Sequence, residues 1–242
     1  KTLEDFAETL KKVADIGYTA VQVSGTCDYE AEWLAEQLKR TGLTCDLTHF
    51  NLDRIRNETD LVVKEHNTFE CKYIGVGSMP NDYRGSAAGV ERFVADTAAA
   101  AKRIKELGST FMYHNHSFEY EKAEDGRTYM EMLSDLFAPG EMGFTLDTYW
   151  VEYARVNVID EIKRLSGRIP RIHLKDMEIL PDGTRRYAPV GYGVMDFEKI
   201  CAAAVEAGAE YALVEQDECF HRDPFDCLKM SLDYLKSIGY EV

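Results

Sequence analysis

Apolar and polar residues along this chain alternate between a helical spacing and a strand-like spacing. Five apolar residues of segment 3–16 fall on one helical face, and Gly17 ends that helix. The next run, 18–24, is rich in β-branched and aromatic residues, which predicts a strand. The alternation continues with predicted helices over 29–40, 53–69, 86–107, 128–137, 158–166, 197–207 and 224–238, and with predicted strands over 43–50, 72–80, 110–114, 144–147, 171–176 and 212–217.

Turn and capping signals separate these elements. Asp28, Asp196 and Asp223 are predicted N-caps, and Pro224 suits the first position of the last helix. A polar insert over 121–127 carries an Asp-Gly turn signal, and a long loop over 178–193 carries another. Because long loops in compact domains are usually functional, the second one is expected near the site.

Strict strand–helix alternation predicts a parallel α/β sheet, either doubly wound or closed as a (β/α)₈ TIM barrel. A nucleotide-binding doubly wound sheet would show G-x-G-x-x-G after its first strand, where this chain has none. Polar residues recur at the ends of several strands, which favours the barrel, and no linker divides residues 1–242 into more than one domain. Only seven strands are counted, so we expect the first barrel strand, before Leu3, to be missing from this chain; a natural seven-stranded barrel is the alternative.

Composition narrows the function classes. The 242 residues are 45% hydrophobic and 29% charged, as in a soluble globular protein, and the net charge is −15. Such acidity disfavours nucleic acid and anionic membrane surfaces as partners, and no apolar run approaches the roughly 18 residues of a membrane-spanning helix. Six cysteines without a CxxC pair indicate reduced thiols and a cytoplasmic location.

Four strand-like runs end in potential metal ligands. The run 110–113 leads into His114, with His116 two residues on, and strand alternation would point both side chains the same way. Asp147, His173 and Glu215 end three later runs. Taken singly, Asp147 could cap a turn, and Glu215 could pair with an arginine. Bringing these charged side chains together without a cation would cost folding free energy. Their imidazole nitrogens and carboxylate oxygens suit Mn²⁺, Mg²⁺, Co²⁺ or Zn²⁺.

Several segments together resemble the sugar phosphate isomerase/epimerase family, which has the xylose isomerase-like TIM barrel. The resemblance covers nearly the whole chain, in order. It implies a divalent metal at the barrel mouth and isomerisation or epimerisation of a sugar or polyol ketone through an enediolate, with Mn²⁺ our first choice of cofactor. The segments that carry it are 17–25, Tyr113-His114-Asn115-His116-Ser117-Phe118-Glu119, Leu146-Asp147-Thr148-Tyr149-Trp150, His173-Leu174-Lys175-Asp176, Gly191-x-Gly193-x-x-Asp196 and Val214-Glu215-Gln216-Asp217.

By position, Asp147, His173 and Glu215 match three metal ligands of that family. The fourth ligand is usually a glutamate that also moves a proton, and this chain has His114 there. Glu215 is therefore predicted to remove the substrate proton, and Glu119 or His116 to return it. Lys175 is predicted to stabilise an oxyanion, with a salt bridge to Asp147 or Asp176 as the alternative.

Four further residues are candidate substrate contacts: His49, Trp150, Asp176 and Arg185. A packed or surface histidine is the alternative for His49, and rim packing is the alternative for Trp150. Arg185 and Arg186 fit either a phosphate site or a solvated loop, and the acidic net charge argues against a phosphorylated substrate.

Three rival functions share parts of this pattern. A metal-dependent dehydratase of inosose or shikimate type, or a lyase on keto-glycosides, would use the same early proton removal. A DNA-repair endonuclease would need more histidines and a basic face. A non-catalytic sugar-binding barrel would leave some of the ligands without metal. We expect a small-molecule sugar as partner, and an exposed barrel edge would favour a homo-oligomer.

Overall fold

The computed structural model describes residues 2–240 as a nearly closed parallel barrel. Its strands are β1 (Ala20–Val23), β2 (Thr44–His49), β3 (Tyr73–Val76), β4 (Thr110–His114), β5 (Met142–Asp147), β6 (Arg171–Leu174), β7 (Asp176–Ile179), β8 (Arg185–Ala188) and β9 (Tyr211–Val214). Seven are hydrogen-bonded in the order β1-β2-β3-β4-β5-β6-β9, and β7 pairs only with β8. The first and last barrel strands, β1 and β9, lie side by side without strand pairing. The predicted barrel is confirmed. The first barrel strand expected before Leu3 would lie outside the residues that the structure describes.

Helices follow the strands and cover the outside of the barrel. They are α1 (Leu3–Ile16), α2 (Ala31–Thr41), α3 (Leu52–Asn57), α4 (Thr59–Thr68), α5 (Ala87–Glu106), α6 (Tyr129–Leu136), α7 (Thr148–Tyr153), α8 (Val158–Arg164), α9 (Phe197–Glu206) and α10 (Pro224–Ser237). Asp196 and Asp223 cap α9 and α10 as predicted. None of the helices within residues 2–240 has the length and apolar character needed to cross a membrane.

Two local predictions are wrong, and two elements of the structure were not predicted. The helix expected over 53–69 is interrupted at Glu58, which leaves the helical region without any glycine or proline to signal it. Asp28 is not an N-cap, because α2 begins after Glu30. The short helix α7 was not predicted, since six residues carry too little periodicity. An antiparallel β7–β8 hairpin, around the predicted Asp-Gly turn, begins at Asp176 and occupies much of the predicted loop over 178–193.

Strand alternation explains which side chains reach the interior of the barrel. Leu47, Met112 and Leu213 pack together although their strands are not neighbours in the sheet, so they meet across the interior. The residues flanking Met112 belong instead to the core between strands and helices. Because side chains alternate, the residues two positions after Met112 and Leu213 also point inward, one layer nearer the carboxyl ends. This alternation is what brings His114 and Glu215 to the mouth.

The opposite end of the interior is closed by a buried arginine. The Arg171 guanidinium bonds to Asp46, with one N–O distance of 2.7 Å, and to Glu210 at 2.8 Å. It also stacks 3.8 Å from the centre of the Tyr73 ring. Arg171 is therefore committed to these partners and does not pair with Glu215.

A buried histidine on α4 generates a test of the fold. His66 is fully buried, and its ring nitrogens contact Thr48 Oγ1 at 2.8 Å and the Val62 carbonyl at 2.7 Å. Burial lowers the pKa of His66 to about 4. The unfolded chain takes up this proton near pH 6.5, so the folded state loses stability as the pH falls from about 6.5 towards 4.

We predict that His66→Gln removes this pH dependence. Between pH 7.5 and pH 5 the wild type should lose about 2 kcal/mol more unfolding free energy than the variant. Urea unfolding at both pH values measures the difference, and His221→Gln, at an exposed histidine, is the matched control. Equal losses in the wild type and His66→Gln would contradict the assignment.

Candidate metal centre at the carboxyl ends of the strands

Four side chains from four strand ends converge at the barrel mouth. His114 ends β4, Asp147 ends β5, His173 lies in β6, and Glu215 follows β9. One donor atom from each lies within 4.8 Å of all the others. Three of the side chains are buried, whereas that of Glu215 is 29% exposed. The structure thus brings together the four residues predicted as ligands, and only the Glu215 side chain faces the mouth.

Both histidines are fixed by bonds on the side away from the cluster. His114 Nδ1 lies 2.8 Å from the Gly77 carbonyl, and His173 Nε2 lies 2.6 Å from Oε1 of Gln22. Because both partners are acceptors, these nitrogens carry the protons. The inner nitrogens face carboxylate oxygens: His114 Nε2 is 3.2 Å from Asp147, and His173 Nδ1 is 2.7 Å from Glu215. Lone pairs facing carboxylate oxygens repel unless a proton or a cation lies between them.

The charges of the cluster fit a cation. Burial opposes charge on His173, yet Glu215 and Asp147 outweigh it and raise the pKa of His173 to about 9. Burial likewise opposes ionisation of Asp147, but the Lys175 ammonium and both histidines lower its pKa to about 2. The pKa of Glu215 is also lowered, through His173 and Lys175, against the effect of burial. Two ionised carboxylates and two oriented imidazoles form a donor set that fits a divalent metal.

Lys175 supplies the positive charge beside this centre. Its Nζ lies 2.8 Å from Asp217, 3.4 Å from Glu215 and 3.5 Å from Asp147, and its side chain is 1% exposed. Burial opposes the ammonium, but the three carboxylates raise the pKa of Lys175. Lys175 therefore forms the ion pair given as its alternative role, and its partners are Asp147, Glu215 and Asp217 rather than Asp176.

Two further histidines border the centre. The ring of His49 lies 5.0 Å from that of His114, and the ring of His116 lies 4.9 Å from it on an edge-to-face contact. Burial and the neighbouring imidazoles hold the pKa of His49 well below its usual value. Burial, followed by His114, lowers the pKa of His116 to about 4. The strand ends at His114, so His116 reaches the mouth through the following turn and not through strand alternation.

Gln22 is the site residue that the sequence reasoning missed. It lies on β1, and besides His173 its amide nitrogen contacts the His49 ring at 3.2 Å. It therefore connects β1 with β6 through side chains, although the two strands are not neighbours in the sheet. The available signal was a polar residue between Val21 and Val23 in an apolar strand.

Glu119 lies behind the centre rather than in it. It is fully buried, accepts a hydrogen bond from the Tyr113 hydroxyl at 2.6 Å, and accepts another from the His116 backbone N–H at 2.8 Å. Burial raises the pKa of Glu119 to about 7. Direct proton transfer between Glu119 and a substrate does not fit this position. The turn at 118–120 folds the carboxylate under the chain, where it positions His116.

Asp176, predicted to contact substrate, instead holds a loop in place. Its buried carboxylate accepts hydrogen bonds from the backbone N–H groups of Met177, Gly191, Gly193 and Met195. A Cβ at Gly193 would come within 2.4 Å of Asp176 Oδ1, so glycine is needed for this close approach. The Gly-x-Gly motif therefore serves the fold of the loop, and the carboxylate does not face the mouth.

Trp150 and Arg185 both lie beside the mouth. The Trp150 ring is 5.1 Å from the His116 ring and 5.5 Å from Lys175 Nζ. Arg185, on β8, donates to the Tyr153 carbonyl at 2.8 Å and stacks over the Tyr153 ring. Arg186 is paired with Glu178 at 2.6 Å.

Comparison with known proteins agrees with this geometry. The model of the family described as xylose isomerase-like TIM barrel matches residues 10–238. The chain belongs to the xylose isomerase-like TIM barrel family. No protein with a curated description matches it.

Solved structures similar to this family member include sugar phosphate isomerase/epimerases. One from Parabacteroides distasonis ATCC 8503 is 20% identical, with a TM-score of 0.80, over 98% of this chain and 90% of that chain. An L-ribulose 3-epimerase is 15% identical, with a TM-score of 0.72, over 97% and 89%. A probable 3-DHS dehydratase from Bacillus anthracis is 14% identical, with a TM-score of 0.70, over 96% and 93%. At these identities the likeness establishes the shared fold.

We predict that Gln22→Leu weakens Mn²⁺ binding by about 10- to 100-fold, because His173 loses the acceptor that orients its ring. Calorimetric titration of the metal-free protein with Mn²⁺ measures the change. Gln37→Leu, at a buried glutamine on α2, is the matched control and should bind Mn²⁺ like the wild type. Unchanged affinity in Gln22→Leu would show that the ring needs no such support.

Proposed function

We propose that this protein is a divalent metal-dependent isomerase or epimerase that acts on a sugar or polyol ketone through an enediolate. The observation that carries the proposal is the convergence of His114, Asp147, His173 and Glu215, of which only Glu215 is partly exposed. A centre at the mouth of a parallel barrel can receive a small polar substrate. The acidic chain offers little attraction to nucleic acid.

The donor set supports Mn²⁺ as first choice. Two imidazole nitrogens and two carboxylates, without sulfur, also accept Mg²⁺, Co²⁺ or Zn²⁺. When bound, such a metal polarises a carbonyl group and stabilises developing negative charge on oxygen.

Glu215 is the group proposed to remove the proton next to the substrate carbonyl. Its exposure lets it face a ligand in the mouth, and its contacts with His173 and Lys175 keep it ionised. Removing this proton creates negative charge on the former carbonyl oxygen. The ammonium of Lys175, 3.4 Å from Glu215, is placed to stabilise that charge.

His116 is proposed to return the proton. Its lowered pKa keeps the ring neutral at physiological pH. The ring would therefore act as a relay: one nitrogen takes a proton from solvent while the other gives its proton to the substrate carbon, so the ring is neutral before and after the step. His49, whose ring lies 5.0 Å from that of His114, is proposed to contact the substrate. A substrate with a leaving group on the next carbon would eliminate it from the same intermediate, which is the dehydratase or lyase outcome.

We predict that Mn²⁺-loaded protein catalyses hydrogen–deuterium exchange at the carbon next to the carbonyl of an accepted ketose in D₂O. Glu215→Gln should slow this exchange by about 10²- to 10⁴-fold, because the general base is lost. Proton NMR on a panel of ketoses measures exchange and identifies the product. Asp147→Ala, analysed for metal content, should lose both metal and exchange.

Wild-type protein that binds no metal, or that binds Mn²⁺ and exchanges no ketose, would contradict the proposal. Full exchange in Glu215→Gln would contradict only the assignment of Glu215 as the base and not the proposed function.

We further predict that His116→Gln slows exchange or product formation about 10²-fold, since a proton relay is lost. Glu119→Gln should slow it by less than about tenfold, because this side chain only supports the His116 backbone. Steady-state kinetics with an accepted ketose compares the two. A larger loss in Glu119→Gln than in His116→Gln would reverse the roles.

A further inference from the structure

We propose that Cys219 and Cys227 form an oxidisable thiol pair, whose disulfide weakens metal binding at the barrel mouth. This inference rests on the metal centre of the proposed function and adds a way for a peroxide to regulate that centre. Cys219 lies in the segment that follows β9, four residues after Glu215, and Cys227 lies in the first turn of α10. Both are free thiols.

The two thiols are already in contact. The side chains of Cys219 and Cys227 are hydrogen-bonded to each other. The turn between them supports this approach, because the Arg222 N–H donates to the Cys219 carbonyl at 3.0 Å. On the helix side, the Cys227 N–H donates to the carbonyl of Asp223, the N-cap of α10, at 3.1 Å. A small displacement of Cys219 is therefore enough to bring the two sulfurs to bonding distance.

Access to solvent distinguishes this pair from a second pair of thiols. Cys45 and Cys71 are also hydrogen-bonded to each other, but both are buried. Cys219 is partly exposed and Cys227 is buried, so a peroxide can reach one sulfur while the other lies beside it. Burial, followed by the Cys227 thiol, raises the pKa of Cys219 to about 11, which makes the thiolate scarce and oxidation slow at neutral pH. Contact and access, rather than unusual thiol reactivity, select this pair.

The oxidation consumes one molecule of hydrogen peroxide and two thiols. The Cys219 sulfur attacks one peroxide oxygen, the O–O bond breaks, and the products are a sulfenic acid and water. The Cys227 sulfur then attacks the sulfenic sulfur and displaces a second molecule of water. Two electrons pass from the sulfurs to the peroxide, and both thiol protons leave in the water. A dithiol reductant reverses the change by thiol–disulfide exchange.

Closing the disulfide moves the segment after β9. A covalent S–S bond is shorter than a hydrogen-bond contact, so one of the two sulfurs must move. Cys227 is 1% exposed, and its carbonyl accepts a hydrogen bond from the Ser231 hydroxyl at 2.9 Å, so it is fixed within the helix. Cys219 therefore moves, and it carries Asp217, whose carboxylate lies 2.8 Å from Lys175 Nζ. We expect this movement to draw Asp217 away from Lys175.

The separation of Asp217 from Lys175 puts the ammonium in competition with the metal. Lys175 Nζ lies 3.4 Å from Glu215 and 3.5 Å from Asp147, the two carboxylates of the centre. An ammonium that has lost Asp217 pairs more closely with these two, and a divalent cation must then displace it. The disulfide therefore lowers the affinity for the metal without changing any ligand atom.

The test treats the metal-free wild type with an excess of hydrogen peroxide, which is then removed. Mass spectrometry of the digested protein identifies the linked cysteines, and calorimetric titration with Mn²⁺ measures the affinity. We expect a link between Cys219 and Cys227, no link between Cys45 and Cys71, and Mn²⁺ binding weakened about tenfold. Dithiothreitol should restore the original affinity.

Three variants serve as controls. Cys219→Ser and Cys227→Ser should each bind Mn²⁺ like the reduced wild type, which also shows that they fold, and should keep that affinity after peroxide. Cys27→Ser, at another partly exposed cysteine, should form the link and lose affinity as the wild type does.

A missing link between Cys219 and Cys227, or a link that leaves the Mn²⁺ affinity unchanged, would overturn the inference. Loss of affinity in both peroxide-treated serine variants would also overturn it, because damage elsewhere would then explain the effect. No ketose is used, so the proposed chemistry is judged separately. Protein that behaves as expected here but exchanges no ketose keeps this inference and loses the proposed function, whereas reduced wild type that binds no Mn²⁺ would overturn both.

Discussion

The site depends on two imidazole rings that are held so that their free nitrogens face two carboxylates. The Gly77 carbonyl fixes His114, and the Gln22 amide fixes His173. This arrangement is unfavourable without a positive charge in the middle, and Lys175 lies to one side of it. The attraction of this centre for a positive charge, either a proton or a metal ion, follows from the orientation of the rings and not only from the residue types. Many of the contacts at the barrel mouth hold the His114 and His173 rings in this orientation.

The barrel supplies the orientation through simple alternation. Strands β4 and β9 place Met112 and Leu213 in the interior, and the next inward positions are His114 and Glu215. At the opposite end, Arg171 and its acidic partners close the interior. Apolar packing in the middle therefore separates two charged layers, one held by the ion pairs of Arg171 and one formed by the candidate metal ligands at the carboxyl ends.

The sequence pattern was sufficient for the barrel and for the convergence of the four residues predicted as ligands, because alternation and a family resemblance both act through local spacing. It was insufficient for Gln22, whose role depends on β1 lying near β6 in space. It also did not indicate the surroundings of Glu119 and Asp176. Both are carboxylates that the chain encloses with its own N–H or O–H donors, a result of loop paths that spacing alone does not determine. The break at Glu58 and the short helix α7 were missed because neither carries a periodic signal.

The most direct measurement is the nitrogen environment of bound Mn²⁺. Electron spin-echo spectroscopy on protein labelled with ¹⁵N-histidine reports which nitrogens coordinate the metal. The account predicts one Mn²⁺ per chain coupled to two histidine nitrogens, with one coupling lost in His114→Ala. A bound Mn²⁺ without histidine coupling, or no bound Mn²⁺, would contradict the metal centre on which the proposed chemistry depends.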